Sequence, residues 1–373
     1  MDLSQLRNEI DSIDSELIKL FTQRMELTNR VAQYKLDHKL DVLQSAREQE
    51  IIQTVRSAAP PELADSAEVL FTTVMDISKS VQYRKFYAAN STIAFSAFTR
   101  EGAPRAACQG TVGAYSEEAC HKAFPDAQIQ FYGAFEDVFH AVERGEADFG
   151  VLPIQNSTAG SVAQTYELMK QYDFKIAASV KLRVSHCLAV HPDNAGKTPA
   201  RVISHEQALA QCAGFLKTLG ARTEYYANTA LAAEYVNTHP EDAAGAICSL
   251  ACARELGLSV EAADIADARE NYTRFIIISK DTYSSAEADI VSVSLSLPHT
   301  KSSLYRLLTK FSVAGLNLVR IESKPIASAD FDAVFYLDFE GSISDPAVAK
   351  LIAELGAQLD YFRFLGNYYE IAE

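Results

Sequence analysis

Leu3, Leu6, Ile10, Ile13, Leu17 and Leu20 step by three and four, the spacing of a helical seam that packs against other helices. The pattern continues through Leu27, Val31 and Tyr34 and meets no Gly or Pro until well past Lys39. That predicts one helix of roughly ten turns. A second helix is expected through Arg47 to Arg56, ended by Pro60 and Pro61, and a third from about Leu63 to Tyr83. Helices of such unequal length cannot bury the first one's seam within a single copy. The block 1–86 is therefore expected to be all-helical and to pair with a second subunit, as a homodimer or homotetramer.

Composition limits what such a chain can do. With 373 residues it exceeds one ordinary core. A formal charge of −15 argues against a general nucleic-acid binder, so an anionic ligand needs a local cationic site. No apolar run has the length of a membrane span, and the N-terminus lacks a signal-peptide stretch. The six cysteines are scattered without C-x-x-C spacing; Cys248 and Cys252 stand one helical turn apart, a packing arrangement rather than a metal one. A cytoplasmic protein with reduced thiols and no metal is expected.

Residues 87–107 read as a linker, with Asn90, Ser91, Thr92, Gly102 and Pro104 dispersed without period, although Ile93–Phe98 is apolar enough to dock. Residues 108–282 alternate short apolar runs with amphipathic stretches, an α/β pattern. Strands are expected at 149–152, 176–180, 187–190 and 275–278, and helices at 116–123, 136–143, 205–219 and 229–236. The last block, 288–373, follows βαββαβ order, the ferredoxin-like arrangement.

On the first helix, Arg24 and Lys35 are eleven residues apart and share a face, whereas Arg7 is rotated about a quarter turn from Arg24. Arg7 is therefore expected to serve a different pocket, in the partner subunit. Arg47-Glu48 lies on the second helix, and Ser78 and Gln82 are an i,i+4 pair on the third. Cations beside a seam are ordinarily solvated or snorkelling. Four of them with a carboxylate, a hydroxyl and an amide suit a small dianion that carries a hydroxyl group.

This set resembles the all-helical chorismate mutases over the whole block. The resemblance implies a pericyclic rearrangement of chorismate to prephenate, without nucleophile or cofactor, driven by conformer selection and electrostatics. It implies that Arg24 and Arg47 grip the substrate carboxylates, with Arg7 reaching in from the other subunit. Lys35 and Gln82 would donate to the ether oxygen, Glu48 would bind the ring hydroxyl and Ser78 would support binding. Gln44 stands where some members have an acidic residue, and weakened binding at most is expected.

In the second block, Gly110-Thr-Val-Gly113-Ala-Tyr-Ser116 precedes an acidic helix turn, with Ser116 placed as an N-cap and the glycines placed to bring backbone N–H groups to an anion. Pro153-Ile-Gln-Asn-Ser-Thr-Ala-Gly160-Ser161 follows a buried strand, where α/β ligand sites form. Asn271-Tyr-Thr-Arg-Phe275 sets a hydroxyl beside a guanidinium. With Asn228-Thr-Ala230, these elements resemble prephenate dehydratase, a two-lobed fold like type II periplasmic solute-binding proteins with its site in the cleft. The resemblance implies loss of carbon dioxide and hydroxide from prephenate to give phenylpyruvate. Thr273 would protonate the leaving hydroxyl and Arg274 would bind or orient substrate. Asn156, Ser157 and Thr158 would line the pocket, with Ser116 and Ser249 as further candidates. Gln155 replaces the usual Glu, and His205, without the usual following proline, reads as structural.

Glu322-Ser323-Lys324-Pro325 resembles the E-S-R-P element of the ACT regulatory domain of dehydratases, and Leu304 begins the matching helix after Ser302-Ser303, where Gly-Ala is usual. The resemblance implies phenylalanine feedback inhibition. The whole reads as a bifunctional enzyme of phenylalanine biosynthesis. Gln44 and Gln155 leave open a non-catalytic amino-acid or small-anion sensor, or a chain with one live catalytic domain.

Overall fold

Asp2 starts the first helix with a capping box: its carboxylate accepts the Gln5 N–H at 2.8 Å while the Gln5 side-chain oxygen accepts the Asp2 N–H at 3.1 Å. The computed structural model describes residues 2–86, 93–268, 270–325 and 333–372. They form two units, one of residues 1–93 with 291–364 and one of residues 94–290 with 365–373.

In the first unit, α1 runs Leu3–Asp37, α2 Ser45–Ala58 and α3 Ala64–Phe86. α3 packs on both other helices and buries Met75, Ser78, Lys79, Gln82 and Tyr83. Only the C-terminal part of α1 is covered, at Thr28, Ala32 and Lys35. Leu3, Leu6, Ile10, Ile13, Leu17 and Leu20 remain exposed, an unpartnered apolar seam.

The same unit holds the C-terminal α+β domain. Its sheet has the order Leu318–Pro325, Ala333–Glu340, Ile290–Ser296, Phe362–Tyr368, and two helices, Ser303–Ala314 and Pro346–Gln358, accompany it. This is ferredoxin-like. Val291, Val293, Leu295, Phe311, Leu337, Phe339, Val348 and Leu355 fill one core. Ser302 has φ +63°, a left-handed conformation that costs any residue but glycine.

The second unit is two-lobed. One lobe is built on a seven-stranded sheet whose main order is Glu370–Ile371, Lys175–Arg183, Tyr272–Ser279, Phe149–Asn156, Arg105–Gln109, Gln128–Tyr132. The other has five strands, in the order Ser259–Ala262, His186–Val190, Gly245–Ser249, Arg201–Ser204, Arg222–Tyr225. The chain leaves the first sheet after Arg183 and returns to it at Tyr272, so two connections form the hinge. They are tied by Val184 N–H to Asn271 O at 2.7 Å and Ile265 N–H to His186 O at 3.1 Å.

Four readings are corrected. The linker reading fails from residue 94 on. Ser96–Ala97 pairs with Tyr283–Ser284, Ala106 and Ala107 lie in a central strand, and Phe98 is buried against Phe124, Phe149 and Tyr369. Residues 87–92 lie outside the described residues. The last segment does not end with the C-terminal sheet: after its strand Phe362–Tyr368, Glu370–Ile371 adds a parallel strand to the second unit, beside Ser179–Val180. The helix expected over 205–219 is two helices, Glu206–Gln211 and Ala213–Leu219, because Asp267 takes the Gly214 N–H with both carboxylate oxygens at 3.1 Å. Finally, the helix after the glycine turn begins at Tyr115 with Ala114 as N-cap, so Ser116 lies inside it.

Replacing Phe98 with Ala should cost about 3–5 kcal/mol in the unfolding transition that carries the second unit. Urea unfolding followed by circular dichroism checks it; a change below about 0.5 kcal/mol would return this segment to a linker.

Candidate functional site

Where α1, α2 and α3 meet, they enclose a cavity of about 270 Å³ lined by Arg24, Lys35, Gln44, Arg47, Glu48, Ser78 and Gln82, with Leu27, Val31, Val42, Ile51 and Met75 supplying apolar wall. The helical period thus brings together every residue singled out in this block except Arg7. Arg7 is exposed and lies 17 residues before Arg24, about 25 Å along the helix at 1.5 Å per residue. Only a second chain can bring an Arg7 to this cavity.

Arg24 is half-buried and bonds Ser78 Oγ; burial pulls its guanidinium below its ordinary value. Lys35 is buried and donates to Val42 O at 2.7 Å. Burial lowers its pKa, and the carboxylates of Glu48 and Asp41 offset part of that. Gln82 Nε2 donates to Ser78 O at 3.3 Å, while its buried Oε1 has no partner among the described residues. Arg47 is largely solvent-exposed and pairs with Glu50 at 2.6 Å. Glu48 accepts from Lys79 at 2.8 Å, a residue that the sequence reading did not single out.

The second site lies in the cleft at the hinge of the second unit, a cavity of about 200 Å³ lined by Tyr115, Asn156, Val184, His186, His205, Gln207, Ala208, Gln211, Asn228, Thr229 and Thr273. Strand pairing sets Thr273 directly opposite Asn156. Asn156 Nδ2 donates to Thr273 Oγ1 at 3.0 Å and to Asn271 Oδ1 at 2.8 Å, while its Oδ1 accepts from Thr158 Oγ1 at 2.7 Å and Ala159 N–H at 2.8 Å. Asn271 Nδ2 continues to Gln211 Oε1 at 3.2 Å, and His186 Nε2 meets the same oxygen at 3.0 Å. Tyr115 donates to Ser185 O at 2.6 Å, and burial pushes its phenol well up, so it stays protonated.

Among the residues predicted for this site, Asn156 and Thr273 line the cleft and Thr158 buttresses Asn156. Ser157 takes the Tyr272 N–H at 2.9 Å. Ser249 caps the helix Leu250–Glu255 through Cys252 N–H at 3.0 Å, and Ser116 is buried in its helix; neither lines the cleft. Arg274 faces the other side of its strand, paired with Glu370 and in register with Gln155. The glycine turn offers no anion nest at Gly113, because Gly113 N–H is taken by Glu117 at 2.6 Å. Glycine there answers packing: a Cβ would stand 2.6 Å from Cys252 Sγ. His205 caps its helix, as expected of a structural residue. His186, Gln211 and Tyr115 were missed, since polar residues bonded across a hinge leave no spacing signal.

Comparison with known proteins follows the same division. The family profile for prephenate dehydratase matches residues 106–283, and that for chorismate mutase type II matches residues 6–83. An arogenate dehydratase 2 of Petunia hybrida is 37% identical over 280 residues, 71% of each chain. A bifunctional chorismate mutase/prephenate dehydratase of Aquifex aeolicus is 29% identical over 370 residues, 98% of each chain. The crystal structure of prephenate dehydratase from Arthrobacter aurescens in complex with L-Phe matches with a TM-score of 0.65 at 28% identity, covering 71% of this chain and 90% of that one.

Burial holds the His186 pKa below its ordinary value of 6.5, with the Gln211 bond opposing weakly. The folded state therefore keeps His186 neutral while the unfolded chain takes up a proton. This stability is present above about pH 6.5 and is lost as pH falls from there towards the folded value. Replacing His186 with Gln should make the melting temperature of the second unit fall less between pH 7.5 and 5.5 than in the wild type. Parallel slopes would show that His186 is not held neutral.

Proposed function

The chain belongs to the prephenate dehydratase family and carries a type II chorismate mutase domain ahead of that domain, so it rearranges chorismate to prephenate and converts prephenate to phenylpyruvate; we propose how its residues divide this work. The bundle cavity is the mutase site. Arg24 and Arg47 hold the carboxylates, with Arg47 leaving Glu50 to do so, and the Arg7 of a second subunit completes the grip. Glu48 accepts a hydrogen bond from the ring hydroxyl. Lys35 and Gln82 donate to the ether oxygen as charge gathers there, the Gln82 amide being tethered through one atom only. The exposed α1 seam supports a homodimer in which the helices exchange Arg7.

The hinge cleft is the dehydratase site. Thr273 Oγ1 accepts from Asn156, so its own proton is free to point at the substrate. Prephenate's ring carboxylate leaves as carbon dioxide, the electrons of that bond enter the ring, and the C–O bond breaks. The departing hydroxide takes a proton from the Thr273 hydroxyl and leaves as water, and Thr273 regains a proton from solvent water, so that hydroxide is the net product alongside carbon dioxide. The ten-residue helix Thr229–Thr238 opens at the cleft, and its N-terminus favours a substrate carboxylate. Arg274 acts from behind, tying the Thr273 strand to Glu370. Glu370 supplies on that face the carboxylate that Gln155 lacks.

The C-terminal domain is an ACT-type regulatory domain, and phenylalanine inhibits through it. Glu322, Ser323, Lys324 and Pro325 form the end of its edge strand, with Glu322 and Lys324 paired at 2.8 Å, and Leu304 is exposed at the opening of its first helix. A cytoplasmic enzyme fits this role; no described helix is long and apolar enough to cross a membrane.

The Thr273–Asn156 register carries the dehydratase reading. Replacing Thr273 with Val should lower phenylpyruvate formation at least about 100-fold while prephenate formation from chorismate persists. Replacing Lys35 with Ala should do the reverse; parallel loss of both activities in either variant would overturn separate sites. The described cleft-lining residues include no carboxylate to meet an ammonium. Prephenate, with its keto group, should therefore exceed its amino counterpart arogenate in kcat/KM by about tenfold or more. Equal values in a side-by-side assay would contradict this.

A further inference from the structure

Among the described residues Glu48 is the one carboxylate lining the mutase cavity, the site proposed above for a dianion. Left alone, it would repel that dianion. Lys79 of α3 meets it at 2.8 Å with a side chain only 9% exposed, and meets Asp76 of the same helix at 3.0 Å. Asp76 is buried, and its two oxygens take the fork of Arg306 at 2.8 and 2.9 Å. Burial alone would raise the Asp76 carboxyl; Arg306 and Lys79 outweigh it and hold it low. Arg306 lies on the helix Ser303–Ala314 of the C-terminal domain, outside the mutase block altogether.

We infer that Arg306 is a positioning residue for the mutase reaction: its guanidinium fixes Asp76, Asp76 fixes Lys79, and Lys79 holds the Glu48 side chain in place at the cavity wall. Four alternating charges run in line, each bonded to the next, and the chain is neutral as a whole. Each member keeps the next from being buried without a partner. Without Arg306, Asp76 draws Lys79 towards itself, and Glu48 loses the counter-charge that lets it sit beside a dianion. Arg306 is suited to this by its planar fork, which matches both carboxylate oxygens at once. Another contact links the same two helices, Thr73 Oγ1 to Tyr305 OH at 3.1 Å, and it lies outside the charged chain.

The inference rests on the assignment of Glu48 to the mutase site, and one set of variants separates the two. Full-length wild type, E48Q, R306M, R306K, Y305F and the double variant E48Q/R306M are assayed for chorismate consumption. Glu48 holds a hydroxyl present in both ground and transition state, so its misplacement raises KM more than it lowers kcat. R306M should raise KM for chorismate roughly tenfold, R306K should recover to within about threefold of wild type, and Y305F should match wild type. R306M should add nothing in the E48Q background, the signature of one connected unit. An impaired E48Q with an unaffected R306M would overturn the relay and leave the site standing. The relay also falls, with the site intact, if R306M costs as much with E48Q as without it, or if Y305F is as impaired as R306M. A wild-type-like E48Q would overturn the site assignment and the relay together.

Discussion

Two doubly anionic substrates have to be held by a chain whose own formal charge is −15. The two sites meet that constraint in different ways. In the helical bundle the answer is desolvated cations: Arg24 and Lys35 are pulled out of water, where burial weakens their hold on a proton and an arriving carboxylate restores it. In the hinge cleft, the described lining residues include no Arg or Lys. In the proposed mechanism the field there comes from a helix N-terminus, and the fixed dipoles come from amides and hydroxyls such as Asn156 and Thr273. Each arrangement fits its chemistry. A pericyclic shift needs charge stabilised at an ether oxygen. A decarboxylative elimination needs a leaving hydroxide protonated without the departing carboxylate being clamped in place by a full positive charge.

The cleft depends on register. Thr273 and Asn156 meet because Tyr272–Ser279 and Phe149–Asn156 pair with these two residues opposite. A slip of one residue would turn Arg274 inwards and Thr273 away. Glu370 opposes that slip, since it anchors Arg274 on the outer face from a strand that the chain adds only at its end. Glu370 and Ile371 therefore support the dehydratase lobe, although they follow the C-terminal ferredoxin-like domain in sequence. The Gln155 departure from the family pattern is absorbed in the same place, for Gln155 and Arg274 are cross-strand neighbours on that face.

What sequence reading reached and missed follows from what leaves a periodic trace. The α1 seam, the shared face of Arg24 and Lys35, and the βαββαβ order were legible because spacing alone encodes them. Thr273 and Asn156 were legible through motif resemblance. Arg274 was not, because neighbours in a strand face opposite ways and the motif does not say which one looks into the cleft. Phe98 was legible only as the end of an apolar run able to dock somewhere, within a stretch whose Gly, Pro and Ser content resembles a linker; where it docks, in the core against Phe124 and Phe149, was not. His186 and Gln211 carry no pattern at all. They are brought together by the two hinge crossings, a long-range event that no local window contains.

The charged chain from Glu48 to Arg306 was hidden for the same reason, and it alters how the domain order reads. Asp76 and Lys79 sit one turn apart on α3 and look like an ordinary surface i,i+3 pair in sequence. Burial makes them something else: two side chains that are costly to leave unpaired, each with a partner on either side. Glu48 supplies one partner from within the mutase block, but the other has to come from outside it. The fork of Arg306 arrives more than 200 positions later, on the first helix of the C-terminal domain. The C-terminal domain packs its helices on α3 and also supplies the Arg306 fork, so it brings the burial of Asp76 and the counter-charge that burial requires together. On the inferred relay, the mutase block is thereby tied electrostatically to the domain that follows the dehydratase.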